Sequence, residues 1–161
     1  MGHSTTFPRD TFNPEILKSY LMLLSEKVTF RMRKKGLEGR TVSLTIRYKD
    51  FTTFGHQHKA GEYLDDGYAV YRAALKMFES VNLVQPVRLL GVSVSDLART
   101  PWQDFLFETM ARRRNLNHAA DQINKKFGVF TVRPASLIHA EKFGILGAPI
   151  PPFVAARRLY D

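Results

Sequence analysis

Apolar and polar positions alternate over residues 87–97, VRLLGVSVSDL. Leu90, Val92 and Val94 share one side, and Leu89, Gly91, Ser93 and Ser95 share the other. This pattern predicts a strand with one face packed and one face open. Gly91 leaves a bare spot on the open face, where another backbone can come close. Residues 40–49 repeat the pattern, with Val42, Leu44, Ile46 and Tyr48 on the apolar side. The other side holds Thr41, Ser43, Thr45, Arg47 and Lys49, which are hydroxyls and cations with no acid. A solvated face usually mixes both signs. Hydroxyls and cations alone suit contact with phosphate.

Between these runs the period changes. Asn13-Pro14-Glu15 is a helix start, with Asn as N-cap, Pro at the first helical position and an acid in the first turn. Leu17, Leu21, Leu24 and Val28 follow at helical spacing, and Arg33-Lys34-Lys35-Gly36 ends the helix. A second helix is capped by Asp65 or Asp66 and runs to about Ser80. Its stripe is Val70, Ala73, Ala74, Met77 and Val81. Residues 2–7 have weak strand character, residues 8–12 read as a turn, and residues 50–58 read as a turn and a strand returning antiparallel. Residues 61–64 read as a loop.

The predicted order to residue 97 is strand, helix, strand, strand, helix, strand. Such an order gives an α+β fold, a four-stranded antiparallel sheet with two helices on one face. A mostly helical and irregular C-terminal extension, 98–161, follows this 1–97 domain. Within it 108–127 is a predicted helix with Leu116, Ala119, Ala120 and Ile123 as a partial stripe. Gly128 is its cap, 129–132 a short extended run, and Pro134 the stop.

Charge sharpens the picture. The 161 residues carry a formal charge of +9 at pH 7 and no cysteine. Residues 1–97 hold 14 Lys/Arg against 10 Asp/Glu, and residues 98–161 hold 10 against 5, so both parts are basic. The excess points to a polyanionic partner, nucleic acid before an anionic membrane. The lack of cysteine excludes a disulfide framework or thiolate metal site and fits a reducing, cytoplasmic setting. No apolar run approaches the roughly 20 residues that span a bilayer, and no signal-peptide core follows Met1. His56 and His58 lie two apart on one strand with no third ligand nearby, so no metal site is expected. Asp50, Asp65, Asp66 and Asp96 stand where caps and turns account for them. No phosphate-cradling Gly-rich loop and no nucleophile–base set is present, so no catalytic residue is assigned.

Four stretches together resemble the little finger domain of Y-family translesion DNA polymerases, the group that includes bacterial DNA polymerase IV. They are residues 87–95 as the last strand, Leu44-Thr45-Ile46-Arg47-Tyr48 with Asp50-Phe51 as the middle hairpin, the element order, and residues 2–7 as the entering strand. Gln103-Asp104-Phe105-Leu106-Phe107 resembles the family's sliding-clamp peptide, with Gln first, Leu fourth and Phe fifth. Asp104 stands where a Leu is usual, Phe105 is bulkier than the family's third residue, and Ser93 stands where the last strand commonly carries a cation.

The resemblance implies a non-catalytic DNA-binding piece of a polymerase that acts on damaged DNA in the SOS response. It implies duplex DNA and the bacterial processivity clamp as partners, a monomer, and no membrane. No cofactor is implied in this chain, since Mg2+ belongs to a catalytic palm domain. The DNA-contact candidates are His3, Thr5, Arg40, Thr41, Ser43, Thr45, Arg47, Gly55, His56, Arg88, Gly91 and Ser93. The clamp-contact candidates are Gln103, Phe105, Leu106 and Phe107. Two other readings stay open: a free-standing RNA-binding module, which needs aromatics on the open sheet face, and a protein-interaction module built on residues 102–107.

Overall fold

The computed structural model of the chain describes residues 1–99, 108–128 and 130–137. Two compact units divide the chain, residues 1–106 and 107–161.

The first unit is built from β1 (Gly2–Thr11), α1 (Pro14–Lys34), β2 (Leu37–Tyr48), β3 (Thr53–Leu64), α2 (Gly67–Glu79) and β4 (Val87–Arg99). The strands form one sheet in the order β1-β4-β2-β3, every neighbouring pair antiparallel. Both helices pack on one face of it. The apolar sides of β2 and β4 are sealed beneath them, with Val42, Leu44, Ile46, Leu90 and Val94 all fully buried.

The caps form as the sequence predicts. The Asn13 side chain accepts from the backbone N–H groups of Glu15 and Ile16, and the Asp66 carboxylate accepts from Ala69 N. α1 buries more than its four-leucine-type stripe, adding Tyr20, Met22, Leu23 and Met32. It is covered from two sides, by the sheet and by α2. α2 buries Val70, Ala74, Met77 and Phe78, while Ala73 and Val81 stay half-exposed.

Three boundaries differ from expectation. β1 continues through Pro8 to Thr11, where a turn was expected. As an edge strand it tolerates a residue without an N–H, and its register slips between Thr6 and Thr11. β3 runs on through residues 61–64, expected as loop, until Leu64 pairs with Gly39. β4 extends to Arg99, two residues past the expected domain edge, because Ala98 and Arg99 pair with Glu38 and Leu37.

The second unit holds α3 (Glu108–Phe127) and a 3₁₀ turn, Ala135–Leu137. Residues 130–132 are not extended. Phe130 takes a φ of 67° and the chain reverses. Asn124, buried on α3, clamps the reversed chain: its amide nitrogen donates to Val132 O at 2.9 Å and its oxygen accepts from Val132 N at 2.8 Å. The expected stripe is therefore not the packed face. Leu116 and Ile123 are exposed, and Asn124 and Leu137 are buried.

Candidate nucleic-acid interface

Residues opposite one another in an antiparallel ladder share a face. The register therefore assigns the open face residue by residue. One row across β1, β4, β2 and β3 is Gly2, Ser93, Ser43 and Gln57. The next is Ser4, Gly91, Thr45 and Gly55, and the third is Thr6, Leu89, Arg47 and Thr53. Ser95, Thr41 and Lys59 make a partial fourth. These rows contain no acid and no aromatic side chain. Hydroxyls, glycines, an amide, two cations and a single leucine, Leu89, form a low and mostly polar platform.

Gly91 keeps this platform flat. A Cβ there would come to 3.2 Å from the Ser4 Cβ and 3.4 Å from the Thr45 Cβ. The close approach expected at Gly91 is made by its own sheet neighbours.

Seven expected contact residues share the open face: Thr41, Ser43, Thr45, Arg47, Gly55, Gly91 and Ser93. The other five do not. His3 and Thr5 pair with Val92 and Leu90, which places them on the helix side. The open-face residues of β1 are Gly2, Ser4 and Thr6, one position along. Period two makes a one-residue error a change of face. The signal was present in Phe7, which is buried and shares the parity of His3 and Thr5. His56 pairs with Leu44 on the helix side, with its ring edge-on to Phe54 at 6.2 Å.

Arg40 is committed to structure at the β2–β3 irregularity. Its Nε donates to Ala60 O at 3.0 Å, and a terminal nitrogen donates to Gly61 O at 3.3 Å. Arg88 is the extra residue of a β4 bulge, since Val87 pairs with Tyr48 and Leu89 with Arg47. The bulge lets both Val87 and Leu90 reach the core. The Arg88 guanidinium lies 3.5 Å from the Asp10 carboxylate and 4.8 Å from the Phe51 ring centroid. Gln57, Thr53, Ser4 and Lys59 are platform residues that sequence reasoning missed. Lys59 lies 3.6 Å from Asp96 at the platform's far end.

Tyr48 is buried as expected and Phe54 packs against it at 5.1 Å. Phe51 is 63% exposed at the hairpin tip. Gln103, Phe105, Leu106 and Phe107 lie outside the described residues. No three His, Cys, Asp or Glu side chains among the described residues gather into a metal-binding group. None of the described helices is long and apolar enough to cross a membrane.

His3 explains its own environment. Burial lowers its pKa first, and the charges of Lys27 and Arg31 on α1 lower it further. The folded form therefore holds His3 neutral, and the unfolded chain binds the proton more readily. Stability is full above the ordinary histidine pKa of about 6.5 and falls as pH drops through the lower folded value. Denaturant midpoints measured downward from neutral pH are expected to fall less steeply for His3→Gln than for the parent chain. Equal slopes would show that His3 does not contribute.

Residues 1–105 match the family model described as the impB/mucB/samB family C-terminal domain. The chain is 37% identical over 145 residues to DNA polymerase IV of Desulfatibacillum aliphaticivorans, covering 86% of this chain and 36% of that protein. It is 39% identical over 147 residues to DNA polymerase IV 2 of Bacillus subtilis strain 168, covering 87% and 35%. The chain thus spans little more than a third of the length of these relatives.

Among solved structures, its fold matches a little finger domain of PolIV in a complex with the beta-clamp processivity factor. The TM-score is 0.51 at 16% identity, covering 66% of this chain and 96% of that one. DinB from Sulfolobus solfataricus matches with a TM-score of 0.53 at 16% identity, covering 62% and 29%. With a sheet of this order, helices on one side only and a family match across the whole of it, the chain belongs to the impB/mucB/samB family, as a little finger domain of the Y-family DNA polymerase IV type.

Proposed function

We propose that this domain holds duplex DNA by its sugar-phosphate backbone, through the open face of the sheet, within a translesion polymerase. The observation that carries this reading is the platform itself. Three complete rows cross all four strands with hydroxyls, glycines, a glutamine, Arg47 and one apolar residue, Leu89, and no acid. Hydroxyls and backbone N–H groups contact phosphate without reading bases. A surface that reads no letters tolerates an altered template, which is what damaged DNA requires. The parent protein is a DNA-directed DNA polymerase whose catalytic carboxylates and Mg2+ lie in another domain. Gln103, Leu106 and Phe107 are the anchors by which the chain docks on a processivity clamp, an amide for a polar pocket and two apolar groups for a hydrophobic one. Solved structures of similar fold include a DNA polymerase ternary complex and a clamp complex, which supports both partners.

Fluorescence anisotropy of the full chain with duplexes of different sequence tests the reading. Affinity is expected to fall with salt, with a log–log slope of about −2, at roughly −0.9 per phosphate neutralised by Arg47 and Lys59. Duplexes of different sequence should bind within about threefold of one another, since backbone contacts carry little base information. Joint replacement of Leu106 and Phe107 by Ala should abolish clamp binding and leave this DNA curve unchanged. Salt-independent binding, or strict preference for one duplex sequence, rejects the proposal.

A further inference from the structure

The hairpin joining β2 and β3 ends in a residue that its backbone does not favour. Tyr48 N donates to Thr52 O at 2.9 Å and Phe51 N donates to Tyr48 O at 3.0 Å, closing a three-residue loop of Lys49, Asp50 and Phe51. The last position of such a loop is left-handed and usually taken by Gly. Here it is Phe51, with a φ of 68°. A bulky side chain in that region is strained, and such residues persist only where their surroundings over-determine them.

The surroundings do so here. The Thr53 hydroxyl donates to Phe51 O at 3.1 Å and accepts from Arg47 Nε at 2.8 Å. The Asp50 carboxylate accepts from Thr52 N at 2.9 Å and from the Gln85 amide at 2.8 Å. The strained tip is thus tied directly to Arg47 and Thr53, two residues of the open platform.

The side chain so held is not used by the fold. Phe51 is 63% exposed. One ring face is occupied by the Arg88 guanidinium, 4.8 Å from the centroid, and Arg88 is itself steadied by Asp10. A rigid aromatic backed by a cation offers a flat stacking surface. What it accepts follows from its neighbours. The Asp50 pKa is lowered, chiefly by the Thr52 backbone hydrogen bond, so a negative charge stands next to the ring in sequence. The exposed ring carries no charge to hold a phosphate, whereas a nucleobase has an uncharged face that stacks on any aromatic.

We infer that Phe51, backed by Arg88, is a stacking site for one unpaired nucleobase at the edge of the duplex-holding platform. The inference rests on the proposed DNA-holding role and adds to it a contact with single-stranded template, made by a base and not by the backbone. It requires an unpaired base because bases within a duplex already stack on each other.

The test uses the full chain and two probes, a blunt duplex and the same duplex with a single-stranded overhang carrying 2-aminopurine. Binding of the parent chain should quench the 2-aminopurine, and Phe51→Ala should remove that quenching. Phe51→Ala should also weaken overhang binding by about tenfold, within the range for loss of one base stack, while blunt-duplex binding stays within about twofold. Phe51→Trp should keep the quenching. Phe51→Gly relieves the backbone strain, so it should fold at least as well as Phe51→Ala and still lose the quenching, which separates stacking from stability. Equal losses on both probes, or quenching that survives Phe51→Ala, overturn the stack. A parent chain that binds the overhang through Phe51 but does not bind the blunt duplex would overturn the platform and leave the stack standing.

Discussion

Thr45→Glu is expected to reduce affinity for duplex DNA by about a hundredfold at low salt, with little loss of stability. Thr45 stands in the centre of the platform, between Gly91 of β4 and Gly55 of β3. No side chain on either strand shields it, so a carboxylate placed there meets the phosphates directly. The change removes a hydroxyl donor and adds a like charge where every neighbour in the three rows is neutral or cationic. About a hundredfold corresponds to roughly 2.7 kcal/mol, reasonable for one charge clash in a backbone-directed interface. The strand itself tolerates glutamate at a cost below about 1 kcal/mol, the span of β-propensity in a host sheet. Anisotropy and a denaturant titration on the same preparation check both halves. Unchanged DNA affinity would show that the duplex does not lie on this face.

The neighbouring residue should behave in the opposite way. Leu44→Ala is expected to destabilise the domain by about 2–5 kcal/mol, the range for truncating a fully buried leucine. Leu44 is 0% exposed and sits between Val92 of β4 and His56 of β3, beneath the helices. The truncation leaves a cavity in the layer where the β2 and β4 side chains meet α1 and α2, and that layer collapses only in part. Against a typical total of about 5–15 kcal/mol, such a loss is a large share of the stability. The denaturant midpoint should fall with an unchanged slope, as expected when the folded and unfolded surfaces stay the same size. DNA affinity of the remaining folded protein should not change. Together the two substitutions test the assignment of faces: adjacent residues, one reporting on folding and the other on binding. If Leu44→Ala impaired binding while Thr45→Glu impaired folding, the sheet would be inverted.

Much of this arrangement was legible before any coordinates. The central strands β2 and β4 alternate because one face of each is buried along its length, and burial writes itself into the residue pattern. The helix caps at Asn13 and Asp66 are local, since donor and acceptor lie within three residues. Element order followed from these signals, and the order implied the layered fold.

The edges were harder to read, for a physical reason. β3 is exposed along most of its length, so no alternation marks where it ends, and residues 61–64 look like a loop. Its conformation comes from hydrogen bonds to β2, a non-local cause. β1 contains a proline and a register slip, and its face was misassigned by one residue. Phe7 alone could have corrected it.

The sequence by itself therefore determined the elements, the core of the two central strands, the cationic balance and the hydroxyl-rich side of β2. Those features arise from near neighbours along the chain and from burial, which every residue in a run reports. Only the tertiary structure decided which edge-strand residues join the platform. It also showed that Arg40 is held by the carbonyls of β3, that Arg88 is shared between Asp10 and Phe51, and that Phe51 stands out from the hairpin. Each of these depends on what lies across the ladder, and a residue carries no mark of its partner on another strand.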